Sequence, residues 1–138
     1  MKPGLAVGMS RTRRIDINEG RTIGFLGEDM RIYGTPYMVL DVEQACRDFL
    51  LEYLTDAENS VGARVEIDHL GPTLKNMWVE VTVTVSAIEG RRFSFDAKVR
   101  DALDLVGRAK HIRVVVELAK QRERVQAKAA KVAKLNAA

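Results

Sequence analysis

Gly34-Thr35-Pro36-Tyr37-Met38-Val39-Leu40-Asp41-Val42-Glu43-Gln44-Ala45-Cys46 opens the one long helix-periodic segment ahead of the C-terminal tail. A step of about 100° per residue puts Met38, Val39, Val42, Ala45, Cys46, Phe49, Leu50 and Tyr53 on one broad apolar arc, with Leu54 at its edge. Asp41, Gln44, Arg47, Asp48 and Glu52 fall opposite. Glu43 does not. It lies between Leu50 and Leu54, on the side meant for burial, where a carboxylate without partners is costly. Such an acid is either paired structurally or has its ionisation put to use, and position alone leaves both open. Thr35 is a permitted N-cap and Pro36 suits the first helical position, so the chain is expected to turn from coil to helix between them.

The flanking segments alternate with a period of two. Residues 7–17 carry Met9, Ile15 and Ile17 among Arg11, Arg13 and Arg14, which predicts a first strand. Residues 18–34 hold four glycines with Phe25, Leu26, Met30, Ile32 and Tyr33 between them, a loop whose apolar side chains suit the cover of a pocket. Beyond the helix, residues 55–60 form a turn cluster. Val61, Ala63, Val65, Ile67 and His69 then alternate with Gly62, Arg64, Glu66 and Asp68, so His69 is expected on the face that packs on the helix. A hydrogen-bonded core histidine is the purely structural reading of that position.

Gly71-Pro72 ends this strand. Val79, Val81, Val83, Val85 and Ala87 alternate with polar residues in the strongest strand of the chain, and Phe93, Phe95, Ala97 and Val99 follow after the Glu89-Gly90 turn. The last strand shows Leu105, Gly107 and Ala109 on one parity but Ile112, Val114 and Val116 on the other, which predicts a bulge near Lys110-His111. One strand, a long helix and four strands joined by short turns make an α+β fold: a central helix wrapped by a curved, antiparallel five-stranded sheet. The open edges of such a sheet invite pairing with a second chain.

At 138 residues and 46% hydrophobic content, the chain is of single-domain length and can bury a core. The N-terminus has no sustained apolar run and no segment is long enough to span a bilayer, so a cytoplasmic location without membrane association is expected. Cys46 is the single cysteine, which excludes an internal disulfide and reads as a small core residue; neither a metal nor a cofactor is expected. The net charge of +3 is uneven, because residues 119–138 hold Lys120, Arg122, Arg124, Lys128, Lys131 and Lys134 against Glu123 alone. The body is slightly acidic and nucleic acid is an unlikely partner for it. We therefore divide the chain into a folded domain, residues 1–117, and a basic helical tail, residues 118–138, expected to be solvated. Its charge also suits an anionic surface, and its thin stripe of Leu118, Val125, Ala129 and Val132 suits packing on the body.

Three pieces of sequence together resemble a known family. Thr35 is followed eight positions later by Glu43 in Thr-Pro-Tyr-Met-Val-Leu-Asp-Val-Glu-Gln-Ala-Cys; Gly62 and His69 follow in Gly-Ala-Arg-Val-Glu-Ile-Asp-His; then comes Ile88-Glu89-Gly90-Arg91-Arg92-Phe93-Ser94. In this order and spacing they resemble the hotdog-fold thioesterases, and most closely the fluoroacetyl-coenzyme A thioesterase type, over residues 3–118. The resemblance implies a hotdog fold and hydrolysis of an acyl-coenzyme A thioester without a metal, with Thr35, Glu43 and His69 as the catalytic set. We place Gly62, Tyr37, Met38, Phe25 and Tyr33 around the substrate, with the amides of residues 36–38 at the oxyanion. Two departures from the type, a shorter segment at 18–34 and Pro36 where the type has glycine, point to a short or medium acyl or aryl-acyl group instead of fluoroacetyl. The alternative is a non-catalytic acyl-thioester-binding or regulatory domain on the same fold.

Spacing adds an expectation about assembly. Eight residues of helix separate Thr35 from Glu43 by about 12 Å along the axis, too far for one chain to bring both onto one carbonyl. A homodimer, alone or within a higher oligomer, with antiparallel central helices sets the start of one helix beside the middle of the other. The expected site is composite, with Thr35 of one subunit facing Glu43 of its partner.

Overall fold

The computed structural model describes residues 1–137. In chain order it contains β1 (Ser10–Asp16), two short strands β2 (Thr22–Ile23) and β3 (Ile32–Tyr33), and the helix α1 (Thr35–Leu51). Then come β4 (Glu58–His69), β5 (Trp78–Glu89), β6 (Arg92–Arg100), β7 (Leu105–Glu117) and a C-terminal helix α2 (Leu118–Ala137). The long strands form one antiparallel five-stranded sheet in the order β1-β5-β6-β7-β4, so β1 and β4 are its edges. The fold class is the expected one.

The core lies between α1 and the concave face of the sheet. Val79, Val81, Val83 and Val85 of β5 and Phe93, Phe95, Ala97 and Val99 of β6 are buried with Met38, Val42, Ala45, Cys46, Phe49 and Leu50 of α1. Each large side chain so buried contributes about 1.5–3 kcal/mol. Phe49 and Phe95 meet tilted with ring centroids 6.1 Å apart, an aromatic tie between helix and sheet. Gly107 of β7 allows the close approach of α1: a Cβ there would stand 2.5 Å from Met38 Sδ.

The parity switch expected in β7 lies instead across the ladder in β4. Pairing of β4 with β7 shifts register between Gly62 and Arg64, leaving Ala63 as the extra residue. Before it Ser60 and Gly62 share a face with Val115 and Arg113; after it Val65, Ile67 and His69 face inward opposite His111, Ala109 and Gly107. So β7 keeps one parity, Gly107, Ala109, His111, Arg113 and Val115 all being buried, and two of these five are polar. Apolar patterning placed the switch on the wrong strand because Ile112, Val114 and Val116 cover the outer face.

Residues 18–34 are also more ordered than a plain loop, with β2 pairing β3 and a turn of 3-10 helix at each of Glu19–Arg21 and Glu28–Met30. Pieces of two or three residues carry too little periodicity to be legible. At the other end, α2 buries none of its residues, and no helix among the described residues is long and apolar enough to cross a membrane.

Candidate active site

The start of α1 differs from the expectation in a way that frees a hydroxyl. Gly34 is the N-cap, with extended backbone, and Thr35 is already helical. The Gly34 carbonyl accepts from the Tyr37 and Met38 amides, both at 3.1 Å. Those two amides are thereby spent, and Pro36 has none, which removes the oxyanion donors expected from residues 36–38. The Thr35 side chain, not needed as a cap, lies 2.7 Å through Oγ1 from His69 Nδ1. His69 closes β4 and stands edge-on to the buried Tyr33 ring at 6.2 Å between centroids. Burial pushes its pKa below the ordinary histidine value, against an opposing hydrogen bond with the Gly71 backbone. In the tautomer that carries its lone pair at Nδ1, a neutral His69 accepts a hydrogen bond from the Thr35 hydroxyl, an arrangement able to move protons at the helix start.

Glu43 is not the buried acid. Its side chain is 39% exposed, whereas Asp41, assigned by the helical wheel to solvent, is 1% exposed. The segment before α1 folds over that face: Tyr33 donates its hydroxyl to Asp41 Oδ2 at 2.5 Å, and Arg21 donates Nη2–H to Oδ1 at 3.0 Å and Nε–H to Oδ2 at 3.1 Å. Asp41 thus anchors residues 18–34 to the helix, and burial together with this carboxylate keeps the Tyr33 hydroxyl protonated. No wheel shows a covering loop.

Glu43 turns toward the β4–β7 end of the sheet, with Oε2 3.9 Å from Arg113 Nη1. Arg113 and His111 are buried on β7, and sequence reasoning missed both. A steady strand parity from Gly107 would have found them, since it carries Ala109, His111, Arg113 and Val115 to one face. Gly62 sits opposite Arg113 in the ladder, and a Cβ on it would lie 3.4 Å from His111 Cε1, 3.6 Å from Arg113 Nη1 and 3.6 Å from Glu43 Oε2. The glycine keeps open the space where these three groups converge.

One chain therefore carries two separate clusters, Thr35 with His69 and Glu43 with Gly62, His111 and Arg113. They lie two turns of α1 apart, about 12 Å along its axis. Of the residues expected around a substrate, Tyr33 and Met38 are fully buried, the first spending its hydroxyl on Asp41 and the second packed under Gly107. Neither offers side-chain surface to a ligand beyond the Tyr33 edge at His69. Tyr37 is half-buried beside Gly34, and Phe25 stands 81% exposed on the covering segment. Cys46 is buried with its thiol pushed up to about 12, the behaviour of an inert core residue.

A family model described as fluoroacetyl-CoA-specific thioesterase, FlK, matches residues 17–119. The chain is 30% identical over 135 residues to the fluoroacetyl-CoA thioesterase of Streptantibioticus cattleyicolor, covering 93% of this chain and 97% of that one. Among solved structures, the fluoroacetyl-CoA thioesterase FlK superposes with a TM-score of 0.83 at 28% identity, covering 91% of this chain and 98% of that one. A thioesterase superfamily member from Thermus thermophilus superposes with a TM-score of 0.88 at 26% identity, covering 97% and 99%. A hot-dog-like protein from Thermanaerovibrio acidaminovorans gives 0.82 at 26% identity, covering 88% and 91%.

Proposed function

This chain belongs to the fluoroacetyl-CoA-specific thioesterase family and hydrolyses acyl-CoA thioesters, and we propose that it does so in a site shared between two copies of the chain. The observation that carries the shared site is the division of labour inside one chain. Thr35 is held to His69 at 2.7 Å while Glu43 faces away from them, toward Gly62 and Arg113. A two-fold dimer with antiparallel α1 helices brings the Thr35–His69 pair of one subunit to the Glu43 of the other. The β4 edge, with Val61 and Val65 exposed, supports this pairing as the side on which a second chain docks.

In that site the Glu43 carboxylate supplies the nucleophile, either its own oxygen or a water that it deprotonates. Attack on the thioester carbonyl gives a tetrahedral oxyanion, which the Thr35 amide, reached by no carbonyl of the helix, is placed to bind. The C–S bond then breaks and the coenzyme A thiolate leaves. The proton it takes up through His69, whose ring Thr35 orients, is the one removed from water: either the attacking water in the general-base route or the water that opens the Glu43 acyl anhydride in the direct route. Water and thioester are consumed, and free acid and coenzyme A leave.

The acyl group we assign is short or medium aliphatic, or aryl-acyl. Support comes from Phe25, Leu26 and Met30, three exposed apolar side chains on the segment that Asp41 anchors over the start of α1. Purified protein assayed with acyl-CoA esters of graded length and shape, free thiol being read by a thiol-reactive dye, tests the reading. Thiol release with one or more of these esters is expected. Binding without turnover of any ester would overturn it.

A further inference from the structure

Asp41 gathers the two ends of the covering segment. Its carboxylate accepts the Tyr33 hydroxyl at 2.5 Å and the Arg21 Nη2–H and Nε–H at 3.0 Å and 3.1 Å. The same two residues hold Gly34, the N-cap of α1. The Arg21 carbonyl accepts the Gly34 N–H at 2.9 Å, and Tyr33, next to Gly34 in the chain, donates its own N–H to the Thr73 carbonyl at 2.8 Å. A Cβ on Gly34 would stand 2.8 Å from Ile23 Cγ2 and 2.9 Å from Tyr37 Cδ2, so the cap is packed from both sides. Thr35 follows, and its hydroxyl meets His69. The fully buried Tyr33 ring bears on the His69 ring as well, edge-on with 68° between their planes. A carboxylate only 1% exposed is costly to fold, and an apolar residue at this point of α1 would pack more easily, so stability alone does not account for an acid here.

We propose that Asp41 is a positioning residue for the reaction: through Arg21 and Tyr33 it fixes where the Thr35 hydroxyl and the His69 ring meet. This rests on the Thr35–His69 pair taking part in hydrolysis, as argued above. Two routes lead from the one carboxylate. Through Arg21 it holds the N-cap Gly34, and with it the place from which the Thr35 side chain departs. Through Tyr33 it holds the ring that limits the imidazole, whose outer torsion has a broad well and needs a contact to select one arrangement. Around the His69 ring stand Tyr33 from β3, Thr35 from α1 and Gly107 across the ladder on β7, with the Gly71 backbone hydrogen-bonded to it. Tyr33 is the titratable group among these, and burial together with Asp41 keeps its hydroxyl protonated. In the shared site Glu43 of the second copy joins them. Burial is what lowers the His69 pKa, so water admitted beside a displaced Tyr33 ring would raise it.

Three variants test this: Asp41→Leu, which removes both partnerships; Asp41→Asn, which keeps an acceptor for Tyr33 without the charge that holds Arg21; and Tyr33→Phe, which removes only the hydroxyl and serves should the leucine variant fail to fold. For Asp41→Leu we expect kcat to fall about tenfold or more with KM within about threefold of wild type, a loss that Asp41→Asn partly restores. Tyr33→Phe is expected to lose kcat in the same sense but less, and to add no further loss when combined with Asp41→Leu, because both act along one route. Arg31→Gln loosens the same segment at its Glu28 and Thr22 contacts and is expected to keep kcat within about twofold. A readout independent of turnover is the NMR titration of the His69 ring, whose midpoint should rise in Asp41→Leu. An unchanged kcat in both Asp41→Leu and Tyr33→Phe, a rise in KM alone, an unmoved His69 midpoint, or an equal loss in Arg31→Gln would overturn the inference. Wild-type activity in both Thr35→Ala and His69→Ala would instead overturn the reading of that pair.

Discussion

Glu43 and Asp41 show how little a carboxylate's place on a helical wheel says about its task. Asp41, on the nominal solvent face, is buried because Arg21 and Tyr33 close over it, and its work is to hold the covering segment. Glu43, on the nominal core face, is half-exposed at the sheet edge beside a buried cation. Glu43→Gln removes the ionisable oxygen and changes almost no volume, so we expect a native melting curve with kcat lowered at least a hundredfold, within the range that loss of a catalytic base produces. A variant as active as wild type would remove Glu43 from the chemistry. The histidines make a second prediction. Burial lowers the pKa of both His69 and His111, so on acidification the unfolded chain takes up their protons first. Their contribution is complete above the unfolded-state value of about 6.5 and is lost as pH falls below it toward the folded-state values. Urea midpoints should therefore drop between pH 7.5 and 5.5, and the drop should shrink when both histidines are replaced by glutamine; an equal drop in that variant would contradict the assignment.

Periodicity made the long elements legible, and failed where polar groups or short pieces took over. The central helix α1, the strands from Val79 to Val99 with their inward valines and phenylalanines, and the inward His69 are all readable from apolar spacing. The bulge was misassigned because β7 buries His111 and Arg113, residues that a hydrophobicity pattern counts as outward. Position makes Thr35 a permitted cap, but Gly34 takes that place and leaves the hydroxyl to His69; backbone conformation one residue earlier decides this and is not written in composition. The C-terminal helix α2 was legible in kind. It buries no residue, so a chain ending at Leu118 should keep its kcat within about twofold. Loss of most activity in that truncated protein, measured alongside a normal far-UV spectrum, would show that α2 helps to build or close the site.

A single chain holds every residue of the set but not in one place. Thr35 and His69 share a hydrogen bond at one end of α1, while Glu43, Gly62, His111 and Arg113 gather about 12 Å further along it. In the proposed dimer, association through the β4 edge would both cover the exposed Val61 and Val65 and join the two half-sites, so dilution below its dissociation constant is expected to inactivate the protein. The most direct measurement is complementation between inactive variants, unfolded and refolded together, with mixed dimers confirmed by mass. Thr35→Ala mixed with Glu43→Ala should regain about a quarter of wild-type activity, since half of the randomly paired dimers are mixed and each of those has one intact site of two. Thr35→Ala mixed with His69→Ala should regain nothing, because these two residues belong to the same half-site of the same chain. Recovery in the second mixture, or none in the first, would contradict the composite site.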